Sequence, residues 1–146
     1  MTNIATDHPL SETQQTTLAA LLDAMLPESE DGNMPSAREL DLIGYLNEKA
    51  DAFIPVVVQI VQNFDDAFAS LSFEERYALL EAFSLEQAEL FEGLLFHVYT
   101  CYYQNQQVLE GIGMAAGPPF PGGNTLEMGD LSLLDTVVQK SRGYRK

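Results

Sequence analysis

Basic residues are scarce. Seven Lys and Arg stand against 22 Asp and Glu, a formal net charge of -15. A surface of that sign repels phosphate backbones and anionic headgroups, which argues against nucleic-acid binding and unassisted docking on lipid. The acids are either simply solvated or help to steer a basic partner. Cysteine is limited to Cys101, so no internal disulfide is available. A lone thiol on a buried helix face behaves as a small apolar side chain. Histidine is limited to His8 and His97. A long apolar run is also missing: the most apolar stretch, 85–103, is interrupted by Glu86, Glu89, Glu92 and His97, so no direct membrane insertion is expected. The start, MTNIATDHPLSE, has no basic segment, apolar run or twin arginine, and a cytoplasmic location is the default expectation. The glycines Gly111, Gly113, Gly117, Gly122 and Gly123 form no phosphate-binding motif, so nucleotide binding by this chain alone is not expected.

What the chain does have is apolar content and helix punctuation. Its 146 residues are 46% hydrophobic, which fits one domain with a real core. Four S/T-x-x-E/Q patterns, at Ser11, Ser36, Ser72 and Ser84, read as helix-start capping boxes. After Ser11, the residues Leu18, Leu21, Leu22, Met25 and Leu26 recur at helical spacing, and Pro27 marks a stop. Leu40, Ile43 and Leu46 make the next stripe. Val56, Val57, Val58, Ile60 and Val61 are β-branched and favour a strand locally. The spacing Val57, Ile60, Val61, Phe64, Phe68 favours a helix, and with no second strand to pair with, the helix is the better reading. A helix from Ser72 reaches about Phe83. The stretch LEQAELFEGLLFHVYTCYY, 85–103, then forms the central helix, apolar nearly all round from Leu94 and therefore buried among the others. A short turn ends at Gly111 or Gly113. Residues 113–129 are Pro- and Gly-rich and irregular. Asp130 or Ser132 caps a last helix carrying Leu131, Leu134, Val137 and Val138. Residues 1–10 are expected to fray. The expected fold is an all-α, single-domain bundle of about six helices.

Chemistry-bearing constellations are sparse. His97 and Cys101 stand four residues apart on one helix face, as two zinc ligands or a thiolate–imidazolium pair do. No second ligand pair accompanies them, and the Glu-x-x-His pattern of di-iron bundles is missing. The plainer reading is a core histidine and an inert thiol. Tyr99, Tyr102 and Tyr103 cluster with Phe96, either as core with a wet rim or as an aromatic contact surface. No catalytic, metal-binding or cofactor-binding residues emerge.

One combination of features is more informative. The helix TLAALLDAMLP is followed by an acidic loop. Later come HVYTCYY, NQQVLEGIG, the segment PPFPGG, the sequence DLSLL and a basic end, GYRK, where Lys140, Arg142, Arg145 and Lys146 hold four of the seven bases. Over roughly residues 11–146 this resembles the gluconate 2-dehydrogenase subunit 3 family, the small subunits of membrane-associated flavin dehydrogenases. The resemblance implies an accessory subunit that is not itself an enzyme and holds no cofactor. Its partner would be a larger flavin-dependent oxidoreductase subunit carrying FAD, and a homo-oligomer is compatible with it. The family's twin-arginine signal is not seen before Ser11, so membrane or periplasmic placement would come through the partner. Tyr103, Pro118, Pro119, Phe120 and Pro121 are the expected partner-binding residues, with Phe120 as apolar anchor. The alternative is a small ligand- or metal-binding protein or enzyme with a pocket around His97, Cys101 and Tyr103.

Overall fold

Ser11 starts the first helix as its sequence pattern requires. Its hydroxyl accepts from the Gln14 N–H at 3.2 Å, and the Gln14 side chain accepts from the Ser11 N–H at 3.0 Å. The closed box launches α1, Glu12–Met25. The computed structural model describes residues 8–114 and 131–135, and its fold is an all-α helical bundle. The chain divides into two compact units, Met1–Ala116 and Gly117–Lys146. In the first lie α1, α2 (Leu42–Lys49), α3 (Ile54–Val61), α4 (Phe73–Glu86), α5 (Ala88–Tyr102) and α6 (Gln106–Gly111). In the second, the described residues are a 3-10 turn, Leu131–Leu134, and Asp135. The last helix expected from Asp130 or Ser132 lies outside the described residues beyond 135, and the segment expected to be irregular, 113–129, lies outside them from 115 on.

The deepest element is α1, not the stretch 85–103. Thr17, Leu18, Ala20, Leu21, Leu22 and Ala24 are all buried, and α1 packs against α3, α4 and the 3-10 turns Ala37–Glu39 and Phe68–Ser70. Small Ala20 and Ala24 let these neighbours come close. Leu10, inside the stretch expected to fray, joins this core, and its carbonyl accepts from the Gln15 side chain at 3.0 Å.

The capping pattern at Ser36 gives only a 3-10 turn. The Ser36 hydroxyl accepts from the Arg38 N–H but donates to Asp23 Oδ1 on α1 at 2.6 Å. That commitment holds Ser36 against α1, and the backbone turns extended at Leu40. Asp41 caps α2 instead, accepting from the Gly44 N–H at 2.9 Å. The β-branched run does form a helix, α3, with Pro55 in its first turn and Val57, Ile60 and Val61 buried. It ends before Phe64, and the Phe64 ring packs 4.8 Å from Phe68 and 5.2 Å from Phe83.

Ser72 closes a second full box with Glu75 and starts α4. Its hydrogen bonds hold the Glu75 carboxyl below the usual carboxylate range. The box at Ser84 does not form. The Ser84 hydroxyl donates to the Glu81 carbonyl at 2.7 Å, one turn back inside α4, so its oxygen is turned away from the N–H groups ahead. Helix α4 runs on through Glu86, and the break falls at Gln87, the single residue between α4 and α5.

Two polar ties lock distant segments together. Arg76 on α4 donates to the Ala20 carbonyl and to Asp23 Oδ2, both at 3.2 Å, with both ionic side chains mostly buried. Tyr102 at the end of α5 donates its hydroxyl to the Pro35 carbonyl at 2.8 Å. Where α6 ends, a Cβ on Gly111 would lie 2.6 Å from the Asn33 carbonyl oxygen, so glycine permits that approach, and Gly113 turns the chain with φ +78.

Candidate interaction surface

Helix α5 buries Leu94, Val98 and Tyr102 along one stripe. The expectation that it is buried on every side from Leu94 onward is corrected by the opposite face. Phe96 is 65% exposed, Tyr103 46% and Tyr99 43%. The cause lies in the neighbours: α2, α3 and α4 pack on α5, and the Phe96–Tyr103 side is left largely exposed. Tyr99 meets Tyr103 edge-on at 6.1 Å, and Tyr102 meets Tyr103 at 5.3 Å. The aromatic cluster is thus split, Tyr102 into the core with a satisfied hydroxyl and Tyr99 and Tyr103 into a surface.

Helix α4 adds to that surface. Tyr77 is 51% exposed and stacks with Phe73 at 6.2 Å. A groove of ≈ 300 Å³ runs between the end of α1 and the facing sides of α4 and α5, lined by Ala24, Met25, Tyr77, Leu80, Glu81, Ser84, Phe91, Leu95 and Tyr99. Reasoning from the sequence missed Tyr77 and the groove. Its signal was available in the spacing Phe73, Tyr77 and Phe91, Leu95, Tyr99, each a row of i, i+4 neighbours.

His97 and Cys101 point elsewhere. The His97 ring lies 4.4 Å from Phe53, 5.2 Å from Phe96 and 6.2 Å from Tyr45. Gly93, one turn earlier, makes room for Phe53: a Cβ there would come 3.0 Å from the Phe53 ring. Burial lowers the His97 pKa, and its Nδ1 is buried without a hydrogen-bond partner. Burial raises the Cys101 pKa, and the Asp41 charge adds to that, the opposite of what activates a thiol. Among the described residues no group of three or more His, Cys, Asp and Glu is placed to hold a metal ion. Of the expected partner-binding residues, Tyr103 is on the exposed face, while Pro118, Pro119, Phe120 and Pro121 lie outside the described residues. No helix among the described residues is long and apolar enough to cross a membrane.

No family model, curated protein or solved structure matches the chain.

Proposed function

We propose that this chain is an accessory subunit, without chemistry of its own, that binds and stabilises a larger FAD-containing oxidoreductase of the sugar- or gluconate-dehydrogenase type. The observation that carries the reading is the exposed aromatic face formed by Phe96, Tyr99 and Tyr103 on α5 with Tyr77 on α4. Large exposed aromatic side chains grouped on neighbouring helices favour a contact site, and tyrosine and phenylalanine are enriched at such sites because they offer large area with few rotamers. The resemblance to gluconate 2-dehydrogenase subunit 3 supplies the class of partner. FAD belongs to that partner, and the complex would sit in the cytoplasm, or at the membrane or in the periplasm if the partner takes it there.

The test is to isolate the tagged chain from its native source. Co-purification with a larger flavin-containing dehydrogenase is expected, and both Phe120→Ala and Tyr103→Ala should weaken that association. Retrieval of the chain with no flavoprotein from cytoplasmic and membrane fractions would sink the reading. A second reading has one observation in its favour, the buried, unpartnered Nδ1 of His97, four residues before the free Cys101 on α5. Stoichiometric metal in the purified protein, lost in His97→Phe, would favour a small metal-binding protein instead.

A further inference from the structure

We propose that the groove between α1, α4 and α5 seats a basic amphipathic helix of the partner protein. The proposal rests on the accessory-subunit reading and adds to it the place of contact and the chemistry of what binds there.

The groove has the form such a segment needs. Its floor is apolar: Ala24, Met25, Leu80, Phe91 and Leu95. Met25, at the end of α1, has an unbranched side chain that adapts to an incoming residue. Phe91, Leu95, Tyr99 and Tyr103 follow one another at four-residue steps along α5. That row extends for about 18 Å at ~1.5 Å per residue, the length of a partner helix of about three turns. Rows of this kind receive the ridges of a second helix, and helix-in-groove docking reads them as anchors at i, i+4 and i+7. Tyr77 and Tyr99 stand half-exposed at the groove, with hydroxyls free to bond at its edge.

Charge selects the occupant. Glu81 lies in the groove wall. Glu74, three residues before Tyr77, and Glu92, four before Phe96, are exposed on the same helices. The ion pairs among the described residues are Lys49–Glu48 and Arg76–Asp23, so these three acids are not engaged by them. Among the described residues no Lys or Arg lines the groove. An acidic or neutral helix would be repelled or left without polar partners at the rim, whereas Lys or Arg flanking apolar anchors would be met by carboxylates. A second copy of this chain would bring the same acids to the same rim, which like-charge repulsion disfavours.

The absence of tryptophan from the chain makes a direct test clean. The probe is a synthetic helical peptide with Leu at i, i+4 and i+7, Lys elsewhere and one Trp among the anchors. Its fluorescence then reports the bound peptide alone. Saturable one-to-one binding with a blue shift is expected. Tyr99→Ala and Leu95→Lys should each weaken it about ten-fold or more, the loss expected when a central anchor is removed. Leu85→Ala, outside the groove and 80% exposed, should not. A peptide of the same composition with scrambled spacing should bind about ten-fold more weakly, and one with Glu in place of Lys weaker still. Equal binding of the scrambled peptide would show plain counter-ion attraction and overturn the proposal, as would an unaffected Tyr99→Ala. Should Tyr99→Ala or Leu95→Lys melt early, Tyr77→Ser, at a more exposed site, gives the same reading. A wild-type chain that sediments as a dimer and becomes a monomer on Tyr99→Ala would assign the groove to a second copy instead. Peptide binding without any flavoprotein from the native source would remove the accessory-subunit reading and leave the groove. A flavoprotein that co-purifies equally with Tyr99→Ala would do the reverse.

Discussion

Helices α1 and α5 are almost the same length, 14 and 15 residues, yet they stand in opposite relation to the solvent. Helix α1 reads as ETQQTTLAALLDAM, with a polar first half and small residues in the second, and it is the most deeply buried element. Helix α5 reads as AELFEGLLFHVYTCY, is far more apolar, and leaves Phe96 and Tyr99 in water. What separates them is the number of sides on which other elements pack. Around α1 stand α3, α4 and two 3-10 turns; α5 is covered by α2, α3 and α4 on its inner side. Apolar residues beyond those a helix needs for its own core are surface on offer to something else. In α1 the apolar residues match the core, and in α5 they exceed it.

The comparison is broken most directly at Leu21 on α1, which is completely buried. Leu21→Ala should destabilise the protein by about 3–5 kcal/mol, the cost of a lost side chain plus the cavity left behind. A urea titration giving less than about 1 kcal/mol would show that α1 is not the central element. Asp23→Ala should cost on the order of 3 kcal/mol, because it strands the mostly buried Arg76 guanidinium and frees Ser36 as well. The Asp23→Ala, Arg76→Met pair should recover much of that loss, and failure to recover would mean that Asp23 acts through Ser36 alone.

At the next level are the caps. Ser72→Ala should cost about 1 kcal/mol, whereas Ser84→Ala should cost only a few tenths, since Ser84 lies inside α4 and caps nothing. Equal losses would contradict the continuous α4. His97 gives a pH signature. Burial lowers its pKa in the folded protein, so below about 6.5, where the unfolded chain takes up the proton more readily, stability is lost as pH falls. His97→Phe should remove that part of the dependence. The difference in melting temperature between wild type and variant should therefore move against the wild type from pH 7 to pH ~5.5, and a constant difference would show that His97 is not desolvated. The smallest expected effect is at the outer face of α5. Phe96→Ala should change stability by no more than about 0.5 kcal/mol. A loss of several kcal/mol would mean that Phe96 is part of the core and that the proposed contact face does not exist.

Much of the fold was legible in the sequence. The closed boxes at Ser11 and Ser72, the stop at Pro27, the helical reading of the β-branched run Val56–Val61 and the turn at Gly111 or Gly113 all followed from local chemistry, and local chemistry is what those features consist of. Ser36 and Ser84 carry the same pattern and failed because each hydroxyl has another partner, distant in one case and local in the other. One hydroxyl is drawn to Asp23 on α1, and the other turns back to Glu81 within an ongoing helix. Apolar count pointed to α5 as the centre because it cannot tell a buried surplus from an exposed one. The Asp23–Arg76 tie spans 53 residues, and no periodicity signals a contact of that range. Tyr103 was singled out for partner contact and is exposed, and Phe96 and Tyr99 were grouped with it as one option, but Tyr77 and the groove beside Tyr99 join that surface only once α4 and α5 are placed side by side.

The joint at Gln87 has a consequence for the order of folding. With one residue between them, α4 and α5 need almost no loop closure to find each other, whereas α1 must close a chain of some fifty residues to reach Arg76. The helix pair is therefore expected to be structured in the transition state, with α1 docking afterwards. Conservative core substitutions in α1, such as Leu22→Ala, should then chiefly speed unfolding, and Leu94→Ala in α5 should chiefly slow folding. Stopped-flow chevrons of the two variants measure this, and the reverse pattern would place the nucleus in α1. If the order holds, the residues that carry most of the equilibrium stability set how long the protein stays folded, and the helix with the surplus aromatics sets how fast it folds.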